Sequence, residues 1–267
     1  MMFGYYLGIR HPIKIQRGII MLSIMRAGLL LALCVLSSHG IASSTLGKHV
    51  LAVSQSMSAF YMYSLSEGDN RYKNEYEQYF NDAQTHLTQL QSQDAVTANE
   101  LQVHWDKLTP GLEYEYIDGA GFIIPVPVRN QFRDYLSNAF SKYLNASKNE
   151  RAFTKDLTNM ALSIEVMSAR FFDVSSALYG TMSIANTNSV IDPVKMAKTL
   201  NLGFDRIQES NMDDKVKRNL RLVQTKWRFI EDSVINYKDE AAYLLVYYNK
   251  SQIYKLLNKS QNALAGA

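Results

Sequence analysis

The segment DDKVKRNLRLVQTKWRFIEDSVINYKDEAAYLLVYYNKSQIYKLLNK, residues 213 to 259, decides the fold class. Its apolar residues Val216, Leu220, Val223, Trp227, Ile230, Val234, Tyr237, Ala241, Leu244 and Tyr248 fall alternately four and three positions apart. That heptad spacing places them along one side of an α-helix, and neither Pro nor Gly interrupts it. The spacing predicts a single helix from Asp213 to Lys259, roughly 65 Å long at about 1.5 Å per residue, of the kind found in bundles and coiled coils.

A second seam of the same rhythm, Phe153, Leu157, Met160, Ile164, Met167, Phe171, Val174 and Leu178, predicts another long helix over 150–179. Shorter apolar stripes predict helices over 46–65, 71–91, 95–108 and 129–144. A further helix runs from Pro193 to about 208, with Asp192 as its cap and Pro in its first turn. One stretch reads differently. In LEYEYIDGAGFIIPVPV, residues 112–128, two β-favouring runs flank Asp118-Gly119, and Pro125 and Pro127 are unsuited to a helix interior. A hairpin or extended connector is expected there. The expected class is all-α: tandem antiparallel helical bundles with long helices and a short non-helical connector, divided into a first module at 43–128 and a second at 129–267.

The 17 Tyr, 11 Phe and 2 Trp among 267 residues suit the margins of such bundles, where a ring is buried and its hydroxyl reaches a polar partner. Ahead of them, Met25 to Ala42 reads MRAGLLLALCVLSSHGIA: a positive charge, an apolar run, then small residues Gly40 and Ala42 before Ser43. Those are the three regions of a secretory signal peptide cut after Ala42, which predicts a periplasmic protein. A retained signal anchor over Gly18 to Leu36 would place Arg26 inside the bilayer, and in Leu31-Ala32-Leu33 before Cys34 a large Leu33 stands where lipidation would require a small residue. Residues 1–42 carry four basic and no acidic side chains, so the rest holds 28 − 4 = 24 basic against 25 acidic residues. From that sum no basic face for nucleic acid is expected.

The two halves share landmarks. Met57-Ser58-Ala59-Phe60-Tyr61-Met62 parallels Met167-Ser168-Ala169-Arg170-Phe171-Phe172, and the surroundings of Trp105 parallel those of Trp227. The order suggests an internal repeat, with chance similarity between amphipathic helices as the competing explanation.

Leu46-Gly47-Lys48-His49-Val50-Leu51-Ala52-Val53-Ser54-Gln55-Ser56-Met57-Ser58 resembles the opening of the helical sensing ectodomains of type IV pilus chemoreceptors and nitrate-responsive sensor kinases, A-G-R-Q-R-M-L-S-Q-R-M-x-K. With one residue inserted, Gly47, Ser54, Gln55 and Met57 match, while Val50 and Ser56 stand near that motif's arginines. The resemblance implies a periplasmic binding protein that recognises a small ligand, an inner-membrane receptor or kinase, or both. It also makes the Gln55 amide a candidate ligand contact, against the reading of Gln55 as a solvated helix residue.

No haem-attachment, zinc-protease, nucleophile-elbow or phosphate-loop motif is present, so binding rather than catalysis is expected, without metal or cofactor. His49, His86 and His104 come from three different helices with no metal-ligand spacing. Met57, Met62, Met160 and Met167 lie in the seams and read as core filler rather than a copper site. Arg170 has two readings: a guanidinium clamp for a carboxylate or oxyanion in a bundle cavity, or an intrahelical partner of Asp173 on a solvated face. The alternative function is an envelope structural or assembly protein that self-associates through its long helices.

Overall fold

The computed structural model describes residues 44–108, 113–118, 121–149, 153–177, 190–209, 212–237 and 242–265. The leader expected over 1–42, with its cut site, lies outside them. Among the described residues there are eight α-helices: α1 (44–65), α2 (Asn70–Gln91), α3 (Ala95–Trp105), α4 (Val126–Ala146), α5 (Phe153–Ser175), α6 (Pro193–Glu209), α7 (Asp214–Asn236) and α8 (Tyr243–Ala265). The connector between α3 and α4 is a hairpin, β1 (Glu115–Ile117) against β2 (Gly121–Ile123), with Glu115 opposite Ile123 and Ile117 opposite Gly121. The protein is an all-α helical bundle.

Helix starts follow from acidic caps. Carboxylates of Asp69, Asp94, Asp192 and Asp213 accept the amides of Arg71, Thr97, Lys195 and Lys215 at 2.9, 3.1, 3.1 and 2.7 Å. Each such cap satisfies an otherwise orphaned amide and contributes about 1 kcal/mol.

The single helix expected from 213 to 259 is two helices. α7 ends at Asn236, where Tyr237 turns into the left-handed region with φ of 52°. α8 then returns antiparallel, placing Ser260 by Asn219 and Tyr248 by Lys226. The seam explains why the spacing misled. Val216, Leu220, Val223, Trp227, Ile230 and Val234 are all buried, but their continuation is not: Leu244 and Tyr248 are 53% and 60% exposed. α8 buries Val246, Lys250, Ile253, Leu257 and Ser260 instead, a four-three stripe of its own in a different phase. A non-glycine residue in the left-handed region carries no sequence signature, so the break was invisible to periodicity.

Two helices form the centre. Every residue from 52 to 62 on α1 and from 164 to 174 on α5 is buried, which no surface helix could be. Two of the small polar residues on α1 bond to their own turns: Ser54 Oγ donates to the Val50 carbonyl and Ser58 Oγ to that of Ser54, each at 2.8 Å. α1 runs parallel beside α5, with Leu51 and Ala161 sharing a cleft at one end and Tyr61 beside Asp173 at the other. α6, α7 and α8 pack around α5. α2, α3 and α4 meet α1 through an aromatic group: His49 edges onto Trp105 and Tyr135, and Phe60 packs on Tyr76 and Phe132. The division drawn at 129 therefore runs through α4, a helix that starts at Val126 and packs on α1 and α3.

Candidate functional site

The end of α5 carries a buried charge cluster. Asp173, fully buried, receives a fork from Arg133 of α4, with Nε to Oδ2 at 2.5 Å and Nη2 to Oδ1 at 2.9 Å. Arg170, one turn earlier on α5, donates Nη1 to the same Oδ2 at 3.1 Å. Arg129, in the first turn of α4, donates Nη1 to the Asp173 carbonyl at 2.7 Å and to Oδ1 at 3.2 Å, and Nη2 to the Ser176 carbonyl at 2.5 Å. Arg129 thus serves carbonyls left open where α5 ends, and its charge suits the negative end of the helix dipole. Its guanidinium also lies 5.2 Å from the Tyr61 ring of α1. Burial works against the charge of Arg133, yet its fork on Asp173 outweighs that and holds its pKa above the ordinary arginine value. Burial, then the neighbouring Asp173 charge, pushes the Tyr61 phenol well above its ordinary pKa. The cluster ties α1, α4 and α5 together.

A second polar group crosses the core further along. Lys250 of α8 donates Nζ to Glu165 of α5 at 2.8 Å, both side chains at most 3% exposed. Lys250 also sits 4.6 Å from the Tyr247 ring, and the Tyr247 hydroxyl donates to Glu75 of α2. Burial and that bond to Glu75 raise the Tyr247 pKa. At the other flank of α1, His49 Nδ1 donates to the Ala83 carbonyl at 2.8 Å and Nε2 accepts from Tyr135 at 2.7 Å. A carbonyl can only accept, which fixes the proton on Nδ1.

A cleft of about 330 Å³ opens where α1, α5 and α8 meet. Leu51, Ala161 and Leu162 supply apolar walls, while Lys48, Asn258 and Asn262 bring an ammonium and two carboxamides. Among the described residues no carboxylate lines it. Gln261 donates to Thr158 at 3.1 Å across the same junction.

The sequence candidates fall elsewhere. Arg170 is only 5% exposed, so the solvated-face reading fails, although its partnership with Asp173 at i+3 is present. Gln55 is buried on α1, between the levels of His49 and Tyr61, and does not line the cleft. Among the described residues no hydrogen bond joins Gln55 to the Arg170 cluster. Met57, Met62, Met160 and Met167 are core residues, as are Trp105 and Trp227. Sequence reasoning missed Arg129 and Arg133, whose i, i+4 spacing on α4 was the available signal, and missed the α8 rim, where Asn258, Gln261 and Asn262 repeat at helical spacing. Gly47 and Leu51, both on the stretch that resembles the sensor motif, line the cleft.

Comparison with protein-family models, with curated proteins and with solved structures returned no match.

Proposed function

We propose that this chain is a periplasmic helical-bundle binding protein of sensor-ectodomain type, which takes a small ligand between α1, α5 and α8 and presents its bundle to a membrane-bound signalling partner. The cleft carries this reading. Its volume of about 330 Å³ is at the lower end of small-ligand sites, which run from about 300 to 1,000 Å³. Its lining suits a molecule with a short apolar body and an anionic or strongly hydrogen-bonding head: apolar walls, one ammonium, several amides and, among the described residues, no acid. Its position adds a reason. The cleft sits at one end of the parallel α1 and α5 pair, so a ligand wedged there acts on the two helices that the Tyr61 and Asp173 contact joins at the other end.

The test is a thermal-shift screen of the purified protein against small carboxylates, inorganic oxyanions, amino acids and sugars. A binder at about a hundred times its Kd should stabilise the fold by about 2.7 kcal/mol, a rise of a few degrees in Tm. Ala161→Trp, which fills the cleft, should abolish the shift while leaving the helical circular dichroism intact. A shift that survives Ala161→Trp would move the site away from this cleft, and a screen with no stabilising compound would count against the binding reading as a whole.

A further inference from the structure

Charge on this molecule is segregated by helix. Residues 44–108, covering α1 to α3, hold four basic and eight acidic side chains. α7 holds six basic residues against three acidic ones, and α8 holds three lysines and no acid. The near-zero sum outside the leader therefore conceals a local excess of basic charge on α7 and α8, which fold back on each other. Lys250 is withdrawn from that face by its buried bond to Glu165. Glu231 is turned toward α6, where it accepts the Asn201 amide at 2.7 Å. Arg218, Arg221, Arg228, Lys255 and Lys259 remain exposed.

The same face is apolar in a way its charge does not require. Leu222, Phe229, Leu244, Leu245 and Tyr248 are between 48% and 66% exposed. Lys226 lies one turn from both Leu222 and Phe229, and its ammonium sits 5.8 Å from the Tyr248 ring, which places the α7 and α8 side chains on one surface. Exposed large apolar residues gathered among arginines and lysines match the interfacial region of a bilayer, where rings and aliphatic groups enter the acyl boundary and cations meet anionic headgroups. A nucleic acid would account for the cations but leaves the aliphatic Leu222 and Leu244 without a partner.

We infer that the α7–α8 face docks on an anionic phospholipid surface, holding the bundle against a membrane. This goes beyond the binding reading above and stands without it, since none of these residues lines the cleft.

The experiment is co-sedimentation with vesicles of phosphatidylcholine alone and of equal parts phosphatidylcholine and phosphatidylglycerol, at low and at physiological salt. Protein purified from the soluble fraction, its N-terminus fixed by mass spectrometry, should bind the phosphatidylglycerol vesicles and release as salt rises. Arg218→Glu with Arg221→Glu should weaken binding about tenfold or more. Leu222→Ser with Phe229→Ser should weaken it severalfold at unchanged charge. Lys73→Glu with Lys107→Glu, a matched charge change on α2 and just beyond α3, should leave it intact. Equal binding to neutral vesicles, an equal loss in the Lys73 and Lys107 variant, or binding to an oligonucleotide with none to vesicles would overturn the assignment. All six positions lie outside the buried core, and far-UV circular dichroism checks that the variants fold.

Discussion

Tyr135 donates its phenolic hydrogen to Nε2 of His49 at 2.7 Å while Nδ1 donates to the Ala83 carbonyl, so one imidazole of α1 joins α4 and α2. Burial lowers the His49 pKa from 6.5 to about 4, with the Ala83 hydrogen bond opposing the shift. The unfolded chain binds this proton near pH 6.5 and the folded chain only near pH 4, so between those values the unfolded state carries more protons. Stability should therefore be flat in this respect above pH 7 and fall as the pH drops from about 6.5 to about 4, by about 3 kcal/mol in total. Urea midpoints across that range measure it. Carboxylates titrate too, so the diagnostic is the difference from His49→Gln, whose slope should be shallower. Equal slopes would show that the imidazole titrates alike in both states.

Asp173 is the acceptor shared by Arg129, Arg133 and Arg170. Asp173→Ala should cost about 3–5 kcal/mol, because it withdraws the counter-charge from guanidinium groups that stay buried. Arg133→Met should cost less, since the carboxylate keeps its bonds from Arg129 and Arg170. Chemical denaturation of both single variants and the double variant gives the coupling; strict additivity would mean that the fork contributes little.

Much of this fold was legible and some could not have been. The seam from Val216 to Val234 was read correctly because α7 is a half-buried helix, for which one apolar stripe is the whole signal. α1 and α5 were recognised as helices but not as the buried centre. Their other faces carry Ser54, Ser56, Ser58, Gln55, Arg170 and Asp173, which look solvated in sequence. Some of these satisfy themselves within one turn and others across 40 or more positions, as Arg133 with Asp173 does, and only the former are local in sequence. The basic face was lost for a related reason: a sum over the chain averages α2 and α3 against α7 and α8, whereas the fold gathers the α7 and α8 side chains on one surface.

Gly68 ends the turn between α1 and α2 with φ of +92°, and a Cβ there would lie 2.7 Å from the Phe122 ring of β2. Gly68→Ala adds a strained backbone and a clash together, and should lower stability by about 1–3 kcal/mol. The two contributions can be separated. Phe122→Ala in the Gly68→Ala background removes the clash and leaves the strain, so the glycine substitution should cost less there than in the parent, read from thermal unfolding. An identical cost in both backgrounds would assign the whole effect to φ.

The Glu165 and Lys250 pair tests whether the contact between α5 and α8 depends on charge or on shape. Both groups are nearly fully buried, and Glu165 Oε1 finds no hydrogen-bond partner among the described residues, so the carboxylate is desolvated without full compensation. Breaking such a pair from one side leaves a lone charge in the core. Lys250→Met or Glu165→Leu alone should each cost about 3–5 kcal/mol. Replacing both with apolar residues of similar volume removes the desolvation as well as the attraction, and the double variant should return to within about 1 kcal/mol of the parent, or exceed it. Denaturant midpoints of the four proteins decide the matter. Should the double variant remain as unstable as the worse single one, the ion pair itself fixes how α8 seats on α5, with Tyr247 over Lys250 and bonded to Glu75 as the part of that arrangement reaching α2.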